Sequence, residues 1–147
     1  MQISSRAFAD SATIPPKYTC DGEDLIPPLS FSNVPKEAKS LALIVDDPDA
    51  PMGTWDHWVV WNIPPQTTEI AEGKSPIGVT GVNSWGKNSW GGPCPPDREH
   101  RYFFKLYALD SSPNLAAGAR KAELERAMES HILAQAQLIG RYDRKRR

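Results

Sequence analysis

Two cysteines in 147 residues leave little from which to build a metal centre, and Cys20 and Cys94 show no CxxC or Cys/His spacing. They lie in separate turn-like segments. They read either as buried thiols in a reducing cell or as a disulfide or site-lining thiol, and spacing leaves these open. No apolar run approaches the ~18 residues of a membrane span, so membrane insertion is not expected. Met1-Gln2-Ile3-Ser4-Ser5-Arg6 lacks the charged start and apolar middle of a secretory signal, and a soluble cytoplasmic protein is expected. Neither sign of charge dominates: the formal net charge is −1. It is unevenly placed, because residues 141–147 hold five cations against Asp143, which leaves 12 basic and 17 acidic residues in the body. An acidic body argues against a nucleic-acid partner. The basic end reads as a solvated terminus or as a contact for nucleic acid or anionic lipid.

What the chain does have is proline, 14 residues of it, together with short apolar runs. Prolines between strong apolar runs favour a loop-rich β protein over disorder, and the length fits one domain, 1–147. Leu41–Val45 and Trp55–Ile63 read as strands, and between them Asp46-Asp47-Pro48-Asp49-Ala50-Pro51-Met52-Gly53 reads as a loop stiffened by its prolines. Residues 70–80 read as irregular, and 81–96, with four glycines and three prolines, as a long loop of the kind that is more often functional than ornamental. His100–Asp110 is the clearest strand, 119–130 a helix with Ala122, Leu124, Ala127 and Met128 as its apolar set, and 132–142 a terminal strand. Shorter strands are expected in the first sixteen residues, at a sheet edge, and at Leu29–Phe31. The layout is that of a β-sandwich, mainly β, with one short helix near the C-terminus.

Alternation places Trp55, His57, Val59 and Trp61 on one face of their strand, with Asp56, Trp58, Val60 and Asn62 opposite. Asp47 continues the Leu41, Leu43, Val45 face, and His100, Tyr102 and Phe104 share another. If the two His-bearing strands are neighbours, His57, His100, Tyr102, Asp47 and Asp49 converge on one rim. Imidazole and phenol donors then suit a small anion, and nearby carboxylates would raise the histidines and make the pocket cationic. Each residue has a plainer reading too: hydrogen-bonded structural histidines, core aromatics, and aspartates capping turns.

Asp47-Pro48-Asp49-Ala50-Pro51 followed by Trp55-Asp56-His57, and Gly92-Pro93-Cys94-Pro95-Pro96 followed by His100-Arg101-Tyr102, resemble the two signature blocks of the phosphatidylethanolamine-binding protein family, most closely its bacterial Raf kinase inhibitor-like branch. Tyr18-Thr19-Cys20-Asp21-Gly22 and Tyr107-Ala108-Leu109-Asp110 extend the resemblance over nearly the whole chain. It implies an antiparallel β-sandwich with a pocket for phosphate-like anions or phospholipid head groups, formed by Asp47, Asp49, Trp55, His57, Gly92, Pro93, His100 and Tyr102. It also implies a non-catalytic role without metal or cofactor, a protein kinase or protease as partner, and a homodimer. Asp97-Arg98-Glu99 departs from the Gly-containing stretch of relatives. Two alternatives remain: a hydrolase using His57 and His100 with Asp47 and Asp49, against which stands the lack of a nucleophile motif or HExxH-like spacing, and an inhibitor acting through its outer surface.

Overall fold

The computed structural model describes residues 1–144; Lys145, Arg146 and Arg147, three cations of the basic end, lie outside the described residues. In chain order these form β1 (Gln2–Ser4), β2 (Ala12–Thr13), a 3₁₀ turn (Pro16–Tyr18), β3 (Leu29–Ser32), β4 (Ser40–Asp47), β5 (Trp55–Ile63), β6 (Glu69–Ile70), β7 (Val79–Thr80), β8 (His100–Leu109), α1 (Lys121–Met128) and β9 (Ile132–Tyr142). A small sheet has the order β1-β3-β6 and a large one β2-β9-β8-β4-β5-β7. The pairings are antiparallel except for the two-residue parallel contact of β2 with β9. The expected β-sandwich is therefore the fold. No helix of the described residues is long and apolar enough to cross a membrane.

β4 explains why its sequence is apolar without a period: every one of its residues is buried, because both faces are covered. Leu41, Leu43 and Val45 pack between the sheets against Phe31, Phe104 and Leu106. Ala42 and Ile44 point the other way, onto Val59, Trp61 and the α1 residues Leu124 and Met128. Truncating one of these buried leucines to Ala should cost roughly 2–5 kcal/mol.

Local departures from the sequence reading have physical causes. α1 is shorter than 119–130 at both ends. Glu123 takes the Arg120 amide at 3.0 Å to start it, and Ser130, at φ 66, turns the chain away after it. Of its expected apolar set only Leu124 and Met128 are buried. The 70–80 segment is not wholly irregular, since β6 and β7 reach its two ends, each too short to leave a periodic signal.

The alternation expected along β5 fails at one residue. Val45 pairs with Trp58 and Asp46 with Asp56, so His57 is the extra residue of a β-bulge. The bulge turns His57 to the sandwich side, where Trp58 and Val60 lie and where its ring meets Tyr102 edge-on at 5.2 Å. Val59 and Trp61, expected to share its face, point towards α1 instead. The two His-bearing strands are also not neighbours, because β4 runs between β5 and β8.

Candidate functional site

β4 ends, β5 begins and β8 begins at the same end of the large sheet, and there a cavity of about 330 Å³ opens. Asp47, Trp55, His57, His100 and Tyr102 all line it. β4 between the two His strands does not separate the imidazoles; it delivers Asp47 between them. Pro51 and Met52 from the acidic loop and Trp85, Pro95 and Pro96 from the long loop complete an apolar wall. The rim is conspicuously apolar for a surface, with Met52 93% and Trp85 43% exposed.

Three expected site residues sit elsewhere. Asp49 turns to β8, taking the Arg101 backbone amide and Nε on Oδ2 and the guanidinium NH2 on Oδ1, each at 2.9 Å. The Arg101 hydrogen bonds, against a smaller opposing effect of burial, bring its carboxyl down to about 2. It fastens the acidic loop to the start of β8 and lies outside the cavity lining. Gly92 and Pro93 pack behind the wall. A Cβ on Gly92 would sit 2.4 Å from the Tyr18 carbonyl oxygen and 2.1 Å from Asp24 Oδ1, so only glycine allows this approach. The Pro93 carbonyl accepts the Cys20 amide at 3.1 Å.

His100 is held at both ring nitrogens. Nδ1 is 2.6 Å from Asp47 Oδ2, and Nε2 is 2.6 Å from Asp97 Oδ1. The ring thus stands between two carboxylates, one at each nitrogen. Asp47 is pinned in turn, its Oδ1 taking the Asp49 amide at 2.8 Å. At Asp97 desolvation pushes the carboxyl up, but the hydrogen bond from His100 and the charges of His100 and Arg98 together outweigh it and hold it below its usual range.

His57 is different. Its Nδ1 lies 2.7 Å from the Gly91 carbonyl, which must accept, so Nδ1 carries the proton and Nε2 of the neutral ring is an acceptor. Burial lowers its pKa, overriding the opposing hydrogen bond to Gly91 and the charges of Asp47 and Asp46. The expected cationic pocket is thus corrected: burial disfavours charge on His57, and both ring nitrogens of His100 face carboxylates. Tyr102 is 1% exposed and its hydroxyl is one of the buried polar atoms that has no hydrogen-bond partner. Burial first, then the charges of Asp47, Asp49 and Asp97, push the phenol up, against a smaller opposing effect of the Cys94 amide.

The sequence reading missed the residues that shape the wall. Asn83, 5% exposed, takes the Trp85 and Lys87 amides on Oδ1 at 2.9 and 3.1 Å and donates Nδ2 to the Ser89 carbonyl at 2.8 Å. It folds the 83–89 turn that presents Trp85. An Asn within a Gly/Ser-rich loop was the available signal. Cys20 and Cys94, left open above, form a disulfide with Cα atoms 5.4 Å apart, tying the Tyr18–Asp24 turn to the wall. Asp97 was visible only as a departure in sequence. No His/Cys/Asp/Glu group among the described residues is arranged to hold a metal ion.

The profile of the phosphatidylethanolamine-binding protein family matches residues 4–143. The chain is 53% identical over 150 residues to a UPF0098 protein of Methanothermobacter thermautotrophicus, covering 98% of this chain and 99% of that one. A UPF0098 protein of Chlamydia trachomatis is 47% identical over 149 residues, with 98% and 99% covered. Among solved structures, the phosphatidylethanolamine-binding protein homolog CT736 of Chlamydia trachomatis superposes with a TM-score of 0.95 at 46% identity, over 98% of this chain and 97% of that one. E. coli YbcL, described as a new member of the mammalian PEBP family, superposes with a TM-score of 0.90 at 31% identity over 98% of each chain. Sandwich, strand ends and sequence agree, and the chain belongs to the phosphatidylethanolamine-binding protein family.

Proposed function

We propose that this protein is a non-catalytic binding protein whose pocket takes a phosphate-type anion attached to an apolar group. The observation that carries the reading is the Tyr102 hydroxyl, buried at the cavity wall without a partner and kept protonated. A buried polar group left unmade is costly, and an oxyanion in the cavity would satisfy it. His57 adds an imidazole that becomes a second donor on taking a proton, and the Met52 and Trp85 rim suits the apolar portion of the ligand. Binding should therefore be coupled to proton uptake at His57 and strengthen as pH falls towards its lowered pKa. A non-catalytic role is supported by what the ionisable groups already do: Cys94 is locked in the disulfide and His100 is held by two carboxylates.

The test is a Trp fluorescence titration with inorganic phosphate and with glycerophosphoethanolamine, on wild type and Tyr102→Phe. Wild type should saturate, and the phenylalanine variant should bind about five- to tenfold more weakly with stability unchanged or raised. Equal affinities, or no saturation at millimolar anion, would remove the reading. Metal-dependent turnover of phosphoesters would restore the hydrolase. The cytoplasmic location expected from sequence stands against an intact Cys20–Cys94 bond, because reducing compartments outside hyperthermophiles keep thiols free; counting free thiols in protein from the native cell decides that point.

A further inference from the structure

We infer that Asp97 is a specificity-determining residue of this pocket, a carboxylate of the chain's own that occupies the donor an incoming anion needs. The inference rests on the anion reading above and adds to it a competitor. His100 lines the cavity and has two ring nitrogens; Asp47 takes one from the strand side, and Asp97 Oδ1 takes Nε2 at 2.6 Å. The two contacts differ in kind. Asp47 is buried and pinned by the Asp49 amide, so its bond to Nδ1 is permanent structure. The Asp97 side chain is 44% exposed and sits in the turn before β8; its Oδ1 also takes the neighbouring Arg98 amide at 3.0 Å, and its Oδ2 lies 4.0 Å from the exposed Arg98 Nε.

The turn itself is anchored, which makes the side chain rather than the loop the moving part. Glu99 is held by Arg141 of β9 at 3.2 Å, and Arg98 reaches the Asp49 carbonyl at 3.4 Å. Asp97 can therefore rotate into water and be solvated while the backbone stays. A ligand oxyanion that takes Nε2 exchanges one charge-assisted hydrogen bond for another of the same kind, with little net gain from that contact. Asp97 also stays close enough to repel a second negative charge. The consequence is selection. Dianions are admitted weakly, and ligands of lower charge, whose affinity comes from Tyr102 and the apolar rim, are favoured over compact, highly charged ones.

The test compares wild type, Asp97→Ala, Asp97→Asn and the double variant Asp97→Ala/His100→Ala by calorimetric titration with inorganic phosphate. Freeing Nε2 should tighten phosphate binding about tenfold in Asp97→Ala, less in Asp97→Asn, whose amide oxygen still accepts, and the gain should vanish in the double variant. Equal affinities in wild type and Asp97→Ala would overturn the inference while leaving the anion reading intact. No saturable phosphate binding in any variant would overturn both. A ligand-free measurement checks the contact itself: imidazole ¹⁵N–¹H spectra of wild type should show a protected, strongly deshielded Nε2 proton on His100, lost in Asp97→Ala. If that proton exchanges freely in wild type, Asp97 is no competitor. If the alanine variant does not fold, Asp97→Asn still serves the titration, with the smaller gain, and the wild-type spectrum alone still tests the contact.

Discussion

Asp46 and Asp47 are consecutive residues at the end of one strand, both almost fully buried, and they face opposite sides of the large sheet. Asp46 looks towards two lysines. Its Oδ2 lies 3.0 Å from Lys105 Nζ and 3.2 Å from Lys121 Nζ, and Lys121 also reaches Asp56 Oδ1 at 2.8 Å. Burial alone would lower Lys121, but the hydrogen bond to Asp56 and the charge of Asp46 together outweigh it and raise it. Asp47 looks into an open region. Its partner His100 is shared with a half-exposed carboxylate, and an unpartnered phenol stands beside it. A buried carboxylate surrounded by lysines has its charge met and has finished its task. Asp47 instead borders a cavity, beside a phenol whose hydroxyl has no hydrogen-bond partner.

That contrast can be broken in three ways. The largest effect should come from opening Cys20–Cys94 on the pocket side. Closing a loop across a sequence separation of 74 contributes about 4 kcal/mol in the chain-entropy account. Urea melts with and without reductant measure it, and phosphate affinity should fall together with stability because Cys94 is part of the wall. Next, Asp46→Asn should cost about 2–3 kcal/mol, less than a fully sealed pair because both lysines reach solvent, and should leave phosphate affinity unchanged. A loss of affinity there would mean that the two regions are coupled.

The smallest effect is a pH dependence confined to the open side. His57 has a lowered pKa in the folded protein, so below about 6.5 the unfolded chain binds a proton that the folded one refuses. Stability is then full above that value and falls as pH drops towards the folded pKa, by no more than about 1.4 kcal/mol per pH unit for one site. His57→Gln should flatten this limb in melts between pH 7 and 5. An unchanged slope would place the acid sensitivity elsewhere.

The strands that form the sandwich were legible because burial imposes pattern or length: β4 as a continuous apolar run, β8 by alternation, β9 by the Ile/Ala/Gln period. The pocket was legible in part, since Asp47, His57, His100 and Tyr102 stand at strand ends where loops meet. What escaped was geometry that no period records. A single inserted residue at His57 reverses a face, and the reversal follows from pairing with β4 rather than from β5 itself. Asp49 beside Asp47 looks equivalent in sequence, yet a bidentate Arg101 across 52 residues decides its direction. The cationic character expected of the site failed for a similar reason, because burial lowers His57 and a carboxylate three residues away occupies His100 Nε2.

β4, enclosed on both faces and paired on both edges, has a consequence for motion. Its amides can exchange with solvent only when most of the domain opens, whereas Met52 at the mouth is 93% exposed on a loop outside the sheets. The pocket thus has a stiff floor and a pliant mouth. Shape changes that accommodate different apolar groups should occur at the entrance, while the distance between the Asp47 carboxylate and its imidazole stays constant.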